Sequence, residues 1–410
     1  MTLKHSIPIL PVGTRPAIPR PSGNTAITLA ALPPLALYVH IPWCVKKCPY
    51  CDFNSHEAKE EIPEAAYIAA LTRDLEQALP QIWGRKVYAI FFGGGTPSLL
   101  SAEGLDGLMA SLRALLPLEH CSEVTLEANP GTFEAVKFKA YRACGINRLS
   151  IGIQSFNPKH LKALGRIHDE NEALAAVEIA HRTFDNFNLD IMYGLPEQKL
   201  KDATRDIEAA IACAPPHLSA YHLTLEPNTL FHRYPPPLPG DELAADMQEM
   251  IEETLASAGY VHYETSAFAK PGRECKHNLN YWHFGDYLGI GAGAASKLSF
   301  PDRIIRSLRA KQPKAYMAGV EDGKHILEEH DVAVADLPFE FMMNALRLTS
   351  GVPVSHFIER TGLPFNTVTA QLDKAEAMGL IFRDHATLRP TQRGQRFLND
   401  LLQMFLPDQN

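Results

Sequence analysis

The sequence of 410 residues has few cysteines, no excess of positive charge and no long apolar run. Seven cysteines in a chain of this size do not indicate a disulfide scaffold. A formal net charge of −8 argues against general nucleic-acid binding, which leaves a basic footprint. No run approaches the roughly 18 apolar residues of a membrane-spanning helix. We therefore expect a cytoplasmic protein without a transmembrane segment or nucleic-acid partner, although peripheral membrane contact stays open.

The first 33 residues differ in composition from the rest of the chain. They contain five prolines by residue 21 and three basic residues but no acid. Proline at this density opposes helices and central strands, so residues 1–33 are predicted to form a disordered, proline-rich arm. Targeting is the weaker interpretation, because the arm has no amphipathic helix and no recognisable cleavage pattern.

Beyond this arm, apolar strand-like runs alternate with helical stretches. The six runs are Leu35–Ile41, Val87–Phe92, Glu123–Glu127, Arg148–Gln154, Phe187–Met192 and Leu218–Leu225. Such alternation predicts an α/β fold with parallel strands and right-handed crossovers. Nearly every run leads into polar or glycine residues, which is typical of a barrel because its loops meet at one mouth. An open sheet would instead concentrate them at one switch point.

The loop after the first strand carries three closely spaced cysteines, Cys44, Cys48 and Cys51. Thiolates are soft ligands that suit iron–sulfur clusters or zinc. Three thiolates on a four-iron cubane leave one iron open to a small chelating molecule. The alternative is a structural zinc site with His40 or His56 as fourth ligand, but zinc sites usually take cysteines in two separated pairs. The other four cysteines are interpreted as ordinary buried thiols.

Residues after the next strands predict a nucleoside site beside this loop. Gly93–Thr96 follows a strand, and its glycines would let the backbone approach a ligand closely. This segment lacks the lysine and the spacing of a P-loop, which disfavours a nucleoside triphosphate. Glu127 is a plausible acceptor for ribose hydroxyls. Further polar groups for the same mouth come from Gln154, Arg166 and Asp190.

Seven motifs together resemble the radical SAM superfamily, in its coproporphyrinogen dehydrogenase-like branch and, within that branch, its heme chaperones. The resemblance runs from about Leu35 to the C-terminus. The motifs are YVHIPWCVKKCPYCDFNSH at 38–56, FFGGGTPSLL at 91–100, LEANPGT at 126–132, RLSIGIQSF at 148–156, LGRIH at 164–168, LDIMYGLP at 189–196 and HNLNYW at 277–282.

This resemblance implies a set of cofactors and residues. Cys44, Cys48 and Cys51 would bind a [4Fe–4S] cluster. The positions that match family contacts to S-adenosylmethionine are Tyr38, Gly94, Gly95, Thr96, Glu127, Gln154, Arg166 and Asp190. The implied architecture is a partial (β/α)6 barrel in residues 34–300, a linker at 301–337 and a smaller C-terminal domain at 338–410.

The C-terminal residues have the helix spacing and short hairpin of a winged helix. From Pro338 onward, however, seven basic residues are balanced by seven acidic ones. Such a neutral domain lacks the cationic excess that DNA binding requires, so we expect a lid or a docking module.

One sequence position distinguishes two functions that occur within this branch. Porphyrinogen dehydrogenases carry a further cysteine two residues after the third one, where this chain has Phe53. The resemblance therefore favours a heme chaperone, which transfers heme to acceptor proteins and depends on an electron donor, neither of them identified. Oxygen-independent coproporphyrinogen III oxidation and a zinc-stabilised regulator are the alternatives. No catalytic residue is assigned, and turnover of S-adenosylmethionine stays undecided.

Heme contact is implied for the HNLNYW motif. His277 is the candidate axial ligand, with Tyr281 and Trp282 packed on the macrocycle. The alternative is that these three side chains belong to the core beneath the barrel. Three other histidines are rivals for the ligand role, namely His222, His262 and His283.

Overall fold

The structure is a computed structural model that describes residues 27–407, apart from the side chains of residues 121 and 132–136. Its large domain is built on six parallel strands. These are β1 Leu35–Ile41, β2 Val87–Gly94, β3 Leu118–Ala128, β4 Arg148–Gln154, β5 Phe187–Tyr193 and β6 His217–His222. Each pairs with the next in chain order, so the sheet has no switch point and its right-handed crossovers all place helices on one face. This is the winding of a barrel.

The strands are apolar because both of their faces are covered. In β1, six of seven residues are buried, and the first core lies between this sheet and the outer helices. The helices of the first five units are α1 Glu64–Ala78, α2 Ala102–Leu115, α3 Thr132–Cys144, α4 Pro158–Ala163, α5 Glu170–Thr183 and α6 Leu200–Ala212, with α4 and α5 both in the fourth unit. Short 3-10 turns occur at Leu79–Gln81 and Pro97–Leu99, and the two-residue strands Trp43–Cys44 and His56–Glu57 pair within the cysteine loop.

Six further strands extend the sheet at both edges. They are β7 Val261–Glu264, β8 Ala267–Ala269, β9 Asp286–Ile290, β10 Ala295–Phe300, β11 Arg303–Arg309 and β12 Ile326–Asp331. The resulting order is β12-β11-β10-β9-β1-β2-β3-β4-β5-β6-β8-β7. Because β6 pairs with β8 rather than with β1, the barrel is partial, as predicted. The associated helices are α7 Leu230–Arg233, α8 Asp241–Ser257, α9 Lys276–Trp282 and α10 Pro313–Glu321.

The predicted linker at 301–337 is wrong, because β11, α10 and β12 belong to the large sheet. Arg309, at the end of β11, forms a buried ion pair with Asp74 of α1, with Nη2 and Oδ1 3.2 Å apart. His325 and Tyr316 also bond to Asp74. The sequence hides β12 because its side chains are mostly exposed and polar, and an edge strand of that kind has no apolar alternation.

The C-terminal domain packs five helices on a three-stranded antiparallel sheet and contains the second core. Its helices are α11 Leu337–Ala345, α12 Ser355–Thr361, α13 Thr369–Ala377, α14 Gln392–Arg396 and α15 Leu398–Gln403, with a 3-10 turn at Phe365–Val368. Its strands are β13 Val352–Pro353, β14 Ile381–Arg383 and β15 Thr387–Pro390. No helix in residues 27–407 is long and apolar enough to cross a bilayer.

The predicted arm lies outside the described residues up to position 26. Its remaining part does not fit a disordered arm, because Ile27 and Leu29 are buried in the second core. The Leu29 amide also donates a hydrogen bond to the Pro301 carbonyl at 2.9 Å. The alternation of Ile27 and Leu29 about Thr28 was too short a signal to outweigh the prolines before it.

Candidate functional site

The carboxyl ends of the barrel strands surround a cavity of about 370 Å³, here called the mouth cavity. It brings together all the residues predicted for the cluster and for S-adenosylmethionine except Tyr38. Those that line it are Cys44, Cys48, Cys51, Gly94, Gly95, Thr96, Glu127, Gln154, Arg166 and Asp190. Side chains from a loop and four strands meet there because parallel strands end at the same edge.

Hydrogen bonds beneath the cysteine loop hold it against the barrel. The Tyr38 hydroxyl donates to His40 Nδ1 at 3.1 Å, and His40 Nε2 donates to the Asn54 carbonyl at 2.8 Å. The Asn54 amide donates in turn to the carbonyls of Ala292 and Lys311, each at 2.9 Å. Tyr38 therefore supports the loop from below, whereas it was predicted as a contact residue of the mouth.

The three thiols face the mouth cavity, and the surroundings of Cys44 and Cys51 disfavour free thiolates. Burial raises the pKa of both Cys44 and Cys51, and nearby hydroxyl groups offset this only in part. Arg166 Nη1 lies 3.8 Å from Cys48 Sγ. No three His, Cys, Asp or Glu side chains among the described residues converge on a single ion position. A cubane presents its irons at separate corners, so its thiolates need not converge in that way.

Arg166 connects the cysteine loop to two strand ends. Its Nη2 donates to the Asn129 side-chain oxygen at 2.7 Å and to the Gly152 carbonyl at 2.6 Å. Asn129 in turn donates to the Thr96 hydroxyl at 3.0 Å. Asn129 was not predicted, although it follows β3 directly within the LEANPGT motif. Charge-assisted bonds of this kind order the mouth before any ligand binds.

Two acids lie deep in the mouth cavity. Glu127 accepts a hydrogen bond from the Gly94 amide at 3.2 Å, and burial together with the charge of Asp190 raises its pKa to about 8. Asp190 accepts from Asn188 at 2.7 Å and from Ser150 at 3.1 Å, and burial raises its pKa as well. Near neutral pH, Glu127 is therefore mostly protonated and can exchange hydrogen bonds with hydroxyl groups.

Backbone conformation at the mouth is unusual at two predicted positions. Gly94 has φ +113°, and a Cβ atom there would overlap the His40 imidazole. Gln154, at the end of β4, has φ +68° although it is not glycine. Left-handed residues other than glycine are costly and concentrate at functional sites, so the observation supports a role for the Gln154 side chain in the mouth cavity.

The three residues predicted for heme contact do not line the mouth cavity. His277 is 2% exposed, stacks on Phe91 at 4.9 Å between ring centroids and meets the edge of Tyr281 at 5.0 Å. Neither His277 ring nitrogen has a hydrogen-bond partner, and burial together with Arg148 lowers its pKa to about 3. Trp282 packs against the C-terminal core. The heme role of this motif stays a prediction.

Further residues of the mouth carried no clear sequence signal. Arg148, Asn188 and Tyr221 point into the mouth cavity from three different strands, and Cys275 and Asn278 close its floor from α9 and the residue before it. Cys275 had been interpreted as an ordinary buried thiol. Its position next to the HNLNYW motif was the signal that could have placed it at the site.

Comparison with known proteins agrees with this architecture. The model of the Radical SAM superfamily matches residues 38–210, and that of the HemN C-terminal domain matches residues 332–397. Coproporphyrinogen III oxidase (HemN) from Escherichia coli superposes with a TM-score of 0.78 at 24% identity, over 91% of this chain and 90% of that one. This likeness confirms the predicted fold class.

Sequence relatives lead to a narrower assignment. The heme chaperone HemW of Escherichia coli is 49% identical over 382 residues, which are 93% of this chain and all of that protein. The heme chaperone HemW of Bacillus subtilis is 34% identical and covers 90% of this chain and 98% of its own length. The chain therefore belongs to the radical SAM superfamily and, within it, to the HemW family.

Proposed function

We propose that this protein is a cytoplasmic heme chaperone that holds a [4Fe–4S] cluster and S-adenosylmethionine in the mouth cavity and transfers heme to acceptor proteins. The observation that carries the proposal is the 49% identity to a heme chaperone over its whole length. The mouth cavity supports it, because a loop with three thiols adjoins glycine amides, an acid pair and an arginine.

The residues of the mouth fit the two cofactors. Soft thiolates suit the irons of a cubane, and three of them leave one iron for a chelating amino acid. Gly94 and Gly95 would expose backbone groups to the methionine part of S-adenosylmethionine. Glu127 would form hydrogen bonds with the ribose hydroxyls, and Arg166 would hold the cysteine loop at Cys48. When bound, the pair would supply one-electron chemistry at a sulfonium group, while the protein orients the ligand and excludes water.

One observation separates this proposal from porphyrinogen oxidation. Phe53 stands where dehydrogenases of the branch carry their additional cysteine, and its side chain lines the mouth cavity while being 59% exposed. It cannot ligate iron. The likeness in fold to coproporphyrinogen III oxidase, at 24% identity, does not bear on this choice.

Anaerobic reconstitution with iron and sulfide, followed by two parallel assays, tests the proposal. We expect about four irons and four acid-labile sulfides per chain, saturable binding of ferric heme, and transfer of that heme to an apo-globin offered as acceptor. No conversion of coproporphyrinogen III is expected with S-adenosylmethionine and a reductant. Conversion of the porphyrinogen would support the dehydrogenase instead, and a preparation with zinc and no sulfide would support the structural zinc site.

A further inference from the structure

A second cavity, of about 550 Å³, lies at the opposite end of the barrel and is here called the amino-end cavity. Residues one position before or after the first residue of β1, β2, β3 and β9 form one wall, and α9 and α12 form the other. We propose that this cavity is the heme site, with His283 or His356 as the iron ligand and Arg360, Lys86 and Lys276 as partners of the propionates. The inference rests on the proposed heme-chaperone function and names the site for it.

The helix α9 lies between the two cavities, and a different face of the helix lines each of them. Lys276, Leu279, Asn280 and His283 follow the i, i+3, i+4, i+7 spacing of one helix face and all line the amino-end cavity. His277 lies on another face and is enclosed by aromatic rings in the barrel. A macrocycle could therefore reach His283 without any movement of the core, whereas access to His277 requires Phe91 or Tyr281 to move.

The two imidazoles of the amino-end cavity are suited to binding iron. The rings of His283 and His356 are 5.4 Å apart at 81°, and the Nδ1 atom of each is buried with no hydrogen-bond partner. Burial, followed by the neighbouring His356, lowers the pKa of His283 to about 4, and burial also lowers that of His356. Both rings are therefore neutral near pH 7, the form in which a ring nitrogen has a lone pair for a metal.

Three cationic side chains line the cavity around this pair, and one of them, Arg360, has a donor atom that lacks an acceptor. Arg360 Nε is buried without a hydrogen-bond partner, which is costly for a guanidinium. Lys86 and Lys276 stand on the same rim, and the acid lining the cavity, Glu119, lies 3.6 Å from Lys86. Carboxylates of a ligand would complete this arrangement through charge-assisted hydrogen bonds.

The space between the cations is apolar and large enough for a macrocycle. Leu279, Tyr88 and Pro34 provide apolar wall, and the volume lies within the roughly 300–1,000 Å³ of ordinary small-molecule sites. Neutral imidazoles, an apolar wall and a cationic rim together match a flat metallated ligand with two carboxylates. Heme has this chemistry.

Titration of the reconstituted protein with ferric heme, followed by the Soret band, tests the site. The double variant His283→Gln/His356→Gln should bind heme at least about tenfold more weakly and lose the spectrum of a nitrogen-ligated iron. His385→Gln, an exposed imidazole of the same domain, is the matched control and should leave the titration unchanged. Near-ultraviolet circular dichroism verifies that each variant is folded.

A second arm does not depend on the histidines. Arg360→Gln should weaken binding of ferric heme about tenfold but leave binding of its dimethyl ester unchanged, because the ester has no carboxylate to pair. Equal loss for both ligands would contradict the assignment of the propionate partners. It would indicate that Arg360 supports the fold.

The outcomes also distinguish failure of the proposed heme site from failure of the proposed heme-chaperone function. If His277→Phe removes the nitrogen-ligated spectrum while the double variant keeps it, the site is wrong and the heme-chaperone function stands. If the unaltered protein shows no saturable binding of ferric heme, the proposed function itself fails.

Discussion

The mouth cavity is lined by four thiols, two arginines and a pair of acids deep inside it, whereas the amino-end cavity combines two neutral imidazoles with an apolar wall and a cationic rim. In barrels of this type, the carboxyl end usually carries the chemistry and the amino end provides stability. Under the two proposals above, the redox cofactors bind at one end and heme binds at the other. Helix α9 lies between them and contributes to both, so a signal between the two sites would have a short path.

The largest effect is expected from a variant that disrupts cofactor binding in the mouth cavity alone. Cys48→Ser should abolish the cluster, because two thiolates remain for a cubane that requires three from the protein. We expect loss of the broad absorption near 400 nm and of acid-labile sulfide, with heme affinity at the amino end changed less than about twofold. Cys213→Ser, at the end of α6, is the control and should retain full cluster content. A parallel loss of heme binding would show that the two ends form one site.

Removal of the arginine that connects the mouth should have the next largest effect. Arg166→Ala deletes bonds to Asn129, to the Gly152 carbonyl and towards Cys48. Each hydrogen bond to a charged group contributes about 1.5–3 kcal/mol, so affinity for S-adenosylmethionine should fall at least about tenfold by isothermal titration. Arg182→Ala, in an exposed pair with Glu178, is the control. If the Arg166→Ala variant bound S-adenosylmethionine with unchanged affinity, Arg166 would not belong to the binding site.

A smaller effect is expected when the pH is varied, because the affinity of the mouth cavity for S-adenosylmethionine depends on the charge of Glu127. The pKa of Glu127 is raised to about 8, and hydroxyl groups of a ligand donate best to its ionised form. Affinity for S-adenosylmethionine should therefore rise with pH towards 8 and weaken by up to about tenfold for each unit below it, as the ionised fraction falls. Glu127→Gln should bind more weakly and show no such slope. A slope that persists in the variant would assign the titration to another group, with Asp190 as the first candidate.

The smallest expected effect is a difference between the two cavities in how ligand affinity depends on ionic strength. The lysines of the amino-end rim are accessible to solvent, so salt screens their attraction to propionates. Raising the salt concentration from about 0.1 M to 0.5 M should weaken heme binding a few-fold, while binding of S-adenosylmethionine in the enclosed mouth changes less. Equal salt dependence at both ends would argue against a rim of cations as the heme anchor.

The sequence was most informative where function follows local order. Cys44, Cys48 and Cys51 lie within eight positions, so one loop brings their thiols together whatever the rest of the fold does. The strand-end residues were equally predictable, since the carboxyl ends of parallel strands in a singly wound sheet share one edge. Glu127, Gln154 and Asp190 could therefore be grouped from their strands alone.

Prediction failed where placement depends on contacts between distant segments. The strand at 326–331 was taken for part of a linker because its exposed side chains have no apolar periodicity. The strand at 303–309 is held by the buried pair of Arg309 with Asp74, a contact that no local pattern encodes. The heme role of His277 stays a prediction, and only the tertiary structure shows that aromatic rings enclose its imidazole. A motif names the residues of a short helix but not the direction in which each one points.

The sequence by itself determined the parallel α/β fold, the cysteine loop and the residues that surround it, because spacing along the chain and the geometry of parallel strands are local rules. Only the tertiary structure decided the amino-end cavity. Its walls come from the beginning of β2, from α9 and from α12, which are far apart in the chain. They meet because the C-terminal domain buries its apolar core against the barrel, and no local pattern encodes where two such surfaces dock.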